Sequence, residues 1–201
     1  MKELERALLD IAEVRERLAM TQRFRGYSGV AAMASGCFAL AAGVLQALLV
    51  PFPQGGYDSR VYASIWLVCG AAAFIVNYGS IAHWLASDAS VRDRWQTRTV
   101  GLAILPAIAL GAAITLALLN RGEYVYLPGV WYGCYGVGLF ASRTMLPRGV
   151  LPISAFFLLA GMALLFAPST IALGWWVLPI GFGLGQIAIG ALVARDRVEH
   201  P

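Results

Sequence analysis

Six apolar runs, most of them close to the length of a bilayer crossing, leave this chain few ways to fold. A helix rises about 1.5 Å per residue, so about 20 residues cover a hydrocarbon core of roughly 30 Å. The runs cover residues 27–50, 61–85, 99–119, 124–145, 151–166 and 171–194, each bounded by Pro, Gly or charge. Continuous runs of this kind predict transmembrane helices, whereas a barrel would show weaker alternating stretches of about ten residues. Composition agrees: 59% of the residues are hydrophobic and 13% charged, against roughly 45–50% and about 25% in soluble domains. With a mean hydropathy of +0.70, the chain has too little polar surface to cover a water-facing globule, so the excess must face lipid. The predicted class is an all-α polytopic membrane protein of six transmembrane helices arranged as three hairpins.

Orientation follows from the basic residues. Of fifteen Lys and Arg, six precede the first span (Lys2, Arg6, Arg15, Arg17, Arg23, Arg25), three lie between the second and third, two flank the turn after the fourth, and two follow the sixth. Only Arg60 and Arg121 fall on the opposite side. This asymmetry predicts both termini on the cytoplasmic side. The net charge of +4 is thus a topology signal, and its spread over several loops argues against direct nucleic-acid binding. Acidic residues from Glu3 to Glu16 interrupt any apolar core near the N-terminus, so no secretory signal peptide and no cleavage are expected. Cys37, Cys69 and Cys134 all fall within apolar spans and read as free thiols used as small packing residues.

Residues 1–25 are expected to form a cytoplasmic amphipathic helix, 26–195 the six-helix transmembrane domain, and 196–201 a cytoplasmic tail. Positions 2 to 22 contain no Gly or Pro and are rich in Glu, Arg, Leu and Ala, which favours helix on propensity. Leu4, Leu8, Ile11 and Leu18 form a narrow apolar stripe with Arg15 at the missing turn. Three readings are open for it: a helix lying on the inner leaflet, a helix docking a cytosolic partner or second protomer, or one packing on the protein's own loops. Five acidic residues and the lack of any aromatic residue before Phe24 weaken the first.

Within the spans, Gly29, Ala32, Gly36, Ala39 and Gly43 line one face of the first, and Gly181, Gly183, Gly185 and Gly190 cluster on the last. Small residues let helices approach closely in lipid, within one chain or between copies. The even-numbered spans align at a tryptophan: Trp66, Cys69, Ala73; Trp131, Cys134, Gly138; Trp176, Pro179, Gly183. The odd spans align loosely at Gly43, Gly111 and Gly161. Three such faces could enclose a pseudo-threefold axis, and transporters built from repeats hold their sites at the repeat interface.

No Asp, Glu, Lys or Arg lies near the middle of any span, which argues against an ion pump, a proton-coupled carrier or a voltage sensor. No nucleophile elbow, phosphate loop or zinc spacing can be assembled, so no enzyme activity, catalytic residue, metal or cofactor is expected. Candidate solute or lipid contacts are Asn77, His83, Arg143 and Gln186, with Trp66, Trp131 and Trp176. Arg143 and His83, near in expected depth, could form a small anion or lipid-headgroup site.

The charged N-terminal helix followed by RFRGYSGVAAMASG, residues 23–36, with Phe24, Ser28, Gly29 and Gly36 at matching places, resembles the start of a widespread group of uncharacterised bacterial six-helix integral membrane proteins. The likeness covers the first 45 residues; the later spans match as hydropathy, and members often repeat the Ser-Gly pair that occurs once here. It implies a bacterial inner-membrane component working with a cytosolic regulator, and supplies no catalytic residues. Two functions stand: an interaction or regulatory protein docking a cytosolic partner or second protomer through the Leu4, Leu8, Ile11, Leu18 stripe, or a passive transporter or binder of a small neutral solute or lipid between the three hairpins.

Overall fold

The computed structural model describes residues 28–87, 91–147 and 149–199. The described residues are helical apart from short connections, and no strand occurs among them. Helix α1 (Gly29–Leu49) begins at Ser28, whose hydroxyl accepts the Ala31 N–H at 3.2 Å and satisfies one of the orphan donors of the first turn. It stops at Val50 because Pro51 and Pro53 follow and cannot continue the backbone ladder. Helices α2 (Gly56–Ser87) and α3 (Val91–Arg121) have 32 and 31 residues, about 48 and 46 Å of rise. A one-turn 3-10 segment at Tyr124–Tyr126 leads into α4 (Leu127–Ala141), which carries Pro128 in its first turn, where its missing N–H costs nothing. Helix α5 (Val150–Phe166) ends where Ala167 turns extended ahead of Pro168. A single turn, α6 (Ser169–Ala172), follows, and then a π-helical segment, Pro179–Leu184, runs into α7 (Gly185–Glu199).

Gly29–Leu49, Gly56–Ser87 and Thr97–Arg121 are each long and apolar enough to cross a membrane, and Val150–Phe166 is a shorter apolar helix. Val68, Ile75, Leu102, Leu110 and Leu159 are all more than half exposed. Contiguous apolar surface of this kind suits lipid, and the molecule has the character of a membrane-embedded protein.

Two close-packed pairs make the centre. Helix α1 lies along α7 and the π segment, α4 lies along α5, α2 leans on α1, and α3 leans on α4. Glycine determines the pairs. A Cβ on Gly29 would fall 2.6 Å from the Gly190 carbonyl oxygen, and one on Gly36 would fall 2.6 Å from that of Gly183. Gly43 abuts the ring of Pro179. The three glycines recur every two helical turns, so they form one stripe along which backbones meet. In the other pair, a Cβ on Gly161 would lie 2.6 Å from the Gly133 nitrogen, and one on Gly136 would lie 2.9 Å from that of Leu158. Helices in lipid have no hydrophobic force between them, so this intimate contact carries the association.

Aromatic rings join the two pairs. Tyr132 of α4 meets Phe157 of α5 at 5.1 Å and Phe182 of the π segment at 5.3 Å, the latter edge-on. Tyr135 meets Phe157 at 4.8 Å and Phe182 at 5.3 Å. Ring pairs in these geometries each contribute about 0.5–1.5 kcal/mol beyond area burial.

The architecture differs from the expected set of equivalent hairpins. Gly43 and Gly161 pack on partners outside their own hairpins, Pro179 and Gly133, while Gly111 packs on Cys134 within its own. The sequence alignment at these glycines is therefore not a repeat of packing, and α1 with α7 and α4 with α5 replace three like faces. The expected sixth run is also not one helix from residue 171. Residues 169–176 form α6 and a turn, and the π segment then changes the residues per turn, so Trp176, Pro179, Gly183 and Gln186 do not hold the α-helical spacing that would align them on one face. The helix within the expected fourth run ends sooner, at Ala141, and residues 196–199 of the expected tail are helical. The amphipathic helix with Leu4, Leu8, Ile11 and Leu18 lies outside the described residues.

Candidate functional site

Three connections gather at one end of the bundle: residues 52–55 between α1 and α2, 122–125 between α3 and α4, and 169–173 after α5. Together with the first turn of α2 they line a cavity of about 670 Å³. Each connection is shaped by local chemistry. Gly55 and Gly122, with φ of +94° and +75°, adopt the left-handed backbone that glycine reaches without strain. At Gly122 the purpose is a helix stop: its N–H donates to the Leu119 carbonyl at 3.2 Å and the next N–H, of Glu123, donates to Leu118 at 2.9 Å. That pairing closes α3 and leaves the Glu123 side chain exposed on the cavity. Across the cavity, Ser59 and Arg60 sit in the opening turns of α2.

Beneath the cavity a buried polar chain ties the connections together. The fully buried Gln46 donates from Nε2 to the Leu173 carbonyl at 2.8 Å and accepts the Trp66 indole N–H on Oε1 at 2.8 Å. Leu173 itself lines the cavity. The Trp175 N–H donates to the Pro51 carbonyl at 3.2 Å, joining the last connection to the first. Both ends of one amide are thus used to lock α1, α2 and the segment after α6 in a single geometry.

Deeper polar groups are engaged in the same way. Asn77 donates from Nδ2 to the Ser35 hydroxyl at 2.6 Å and to the Ala73 carbonyl at 2.9 Å, joining α2 to α1. Trp131 donates to the Thr115 hydroxyl at 2.9 Å, joining α4 to α3, while that hydroxyl donates to the Gly111 carbonyl at 2.7 Å. Gln186 donates to the Tyr135 hydroxyl at 2.8 Å, joining α7 to α4. Tyr132 donates to the Val177 carbonyl at 2.5 Å, just ahead of the π segment. Buried polar groups in lipid are costly unless paired in this manner. One buried hydroxyl, that of Tyr62, has no partner among the described residues.

The residues singled out from sequence are therefore scattered. Trp66, Trp131, Asn77 and Gln186 each make an interhelical bond with a different partner, and Trp176 stands 41% exposed. Arg143 lies just beyond α4, exposed, its guanidinium over the Phe140 ring at 4.3 Å and donating to the Phe140 carbonyl at 2.9 Å. His83 is exposed on α2, and among the described residues no bond joins it to Arg143. Arg60, Glu123 and Ser59, which line the cavity, escape sequence reasoning because nothing local announces that their loops converge. The available signal was that Arg60 is one of two basic residues on the poorly basic side. Among the described residues no three His, Cys, Asp or Glu side chains are placed to hold a metal ion. Comparison with known protein families, characterised proteins and solved structures finds no match to this chain.

Proposed function

We propose that this is an integral inner-membrane protein of bacterial type, crossing the bilayer six times with both termini cytoplasmic, whose role is interaction or regulation. The N-terminal helix presents Leu4, Leu8, Ile11 and Leu18 to a cytosolic partner or a second protomer. The observation that carries this reading is the engagement of Gln46, Asn77, Thr115 and Gln186 in bonds between helices. A bundle whose deep polar groups are taken up in holding it together is a scaffold, and its activity then belongs at its ends. The alternative, a passive pathway for a neutral solute or lipid between hairpins, has less support, since Trp66, Trp131 and Gln186 would be its lining and are bonded within the bundle.

Alternating passage through the membrane is supported by the gathering of the connections after α1, α3 and α5 around one cavity. The sparse basic residues on that side, Arg60 and Arg121, support its lying opposite the cytoplasm. The resemblance of residues 23–36 to bacterial membrane components that accompany a cytosolic regulator agrees with the same assignment.

Crosslinking mass spectrometry on protein purified gently from its native membrane tests the docking role. The intact chain is expected to carry a partner or second protomer that the Leu8→Asp, Ile11→Asp double variant loses while still inserting in the membrane. Undiminished association in that variant would remove the N-terminal stripe as the docking surface.

A further inference from the structure

We propose that the cavity at the loop end binds a zwitterionic group, one that carries an anion and an ammonium in the same small molecule or headgroup. Apart from the Tyr62 hydroxyl, the polar side chains deep in the bundle are bonded, whereas those lining this cavity make no hydrogen bond among the described residues. Ser59 is only 8% exposed, lines the cavity, and its hydroxyl makes no hydrogen bond among the described residues. Arg60 lines the space from the start of α2 and Glu123 from the connection after α3, and among the described residues neither is in an ion pair. A guanidinium presents a fork that matches a carboxylate or phosphate, and a carboxylate accepts an ammonium. A ligand carrying both charges can engage both side chains at once, whereas one with a single charge engages one and leaves the other to water. The volume, about 670 Å³, falls within the range of roughly 300–1,000 Å³ usual for small-ligand sites.

The surroundings agree with a site at headgroup depth. Tyr57, Tyr126, Trp175 and Trp176 are all exposed near these connections, and such aromatic residues mark the membrane interface. The same chemistry is offered by two sources, a phosphoethanolamine lipid headgroup and a free zwitterion in solution.

Native mass spectrometry on the full-length protein, loaded with equal phosphatidylethanolamine and phosphatidylglycerol, reads the preference directly. A thermal shift with millimolar O-phosphoethanolamine, beside inorganic phosphate, reads the soluble arm. Phosphatidylethanolamine is expected to be retained at least tenfold over phosphatidylglycerol, Glu123→Gln to abolish that preference, and Arg60→Gln to lower retention of both lipids, with Arg60→Lys keeping part of it. Stabilisation by O-phosphoethanolamine without lipid preference upholds the zwitterionic site and assigns it to a soluble ligand. Because these side chains are exposed, unfolding of the variants is expected to match the parent, which separates lost binding from lost structure. Equal retention of both lipids with no response to O-phosphoethanolamine overturns the proposal, and so does phosphate acting as well as O-phosphoethanolamine or retention unchanged in both Gln variants.

Discussion

The Trp66 indole N–H donates to Gln46 Oε1 at 2.8 Å in a site where Gln46 is wholly buried and Trp66 is 5% exposed. The other end of the amide holds the Leu173 carbonyl, so one side chain on α1 sets the position of α2 and of the segment leading to the π segment and α7. Removing it orphans a donor and an acceptor together. Gln46→Leu is expected to lower unfolding stability in detergent by about 2–4 kcal/mol, since each buried group left unpaired costs about 1–3 kcal/mol. Trp66→Phe should then cost less in the Gln46→Leu background than in the parent, because it removes one orphan there and breaks a bond in the parent. A double-mutant cycle measured by equilibrium unfolding checks this, and strict additivity would argue that the bond contributes nothing.

Tyr62 and Tyr132 make an opposed pair. The Tyr62 hydroxyl is buried without a partner, whereas that of Tyr132 is bonded to the Val177 carbonyl. Tyr62→Phe should therefore raise stability by about 1 kcal/mol, and Tyr132→Phe should lower it by a similar amount. Thermal unfolding of the two single variants in one detergent gives the comparison, and a shift of the same sign in both would contradict it.

Glycine substitutions should divide by location. Gly161→Ala forces a methyl against the Gly133 backbone and is expected to cost about 1–3 kcal/mol through overpacking. Gly70→Ala on α2 meets nothing within 4 Å, and should be neutral or stabilise slightly through helix propensity. Melting temperatures of the two variants decide the matter.

The threading of the helices can be read by labelling. In a cysteine-free background, Gln54→Cys should react with an impermeant maleimide on intact cells. Arg143→Cys should react only once the membrane is opened. The reverse pattern would invert the orientation, and labelling of both positions from one side would break the six-crossing arrangement.

Helix limits were legible wherever one residue forces them. Pro51 and Pro53 end α1 and Pro168 follows the end of α5, and the expected and observed boundaries there agree to within a residue or two. The last helical stretch was less legible. Proline at 179 and glycines at 181, 183 and 185 permit a π segment, but its formation is accompanied by Tyr132, 45 positions away, bonding the Val177 carbonyl. The small-residue stripe of α1 could be seen as a face, yet its partners on Gly190, Gly183 and Pro179 could not.

The sequence by itself determined an all-helical chain with apolar helices long enough for a bilayer, because hydropathy and helix length are local properties. Only the tertiary structure decided which helices pair and where polar groups meet. Small-residue faces are complementary to many others, and the choice among them depends on the simultaneous fit of rings, glycines and hydrogen bonds. The cavity carrying Arg60 and Glu123 is the clearest case, since its lining comes from three connections and the start of α2, which become neighbours only when the helices are packed.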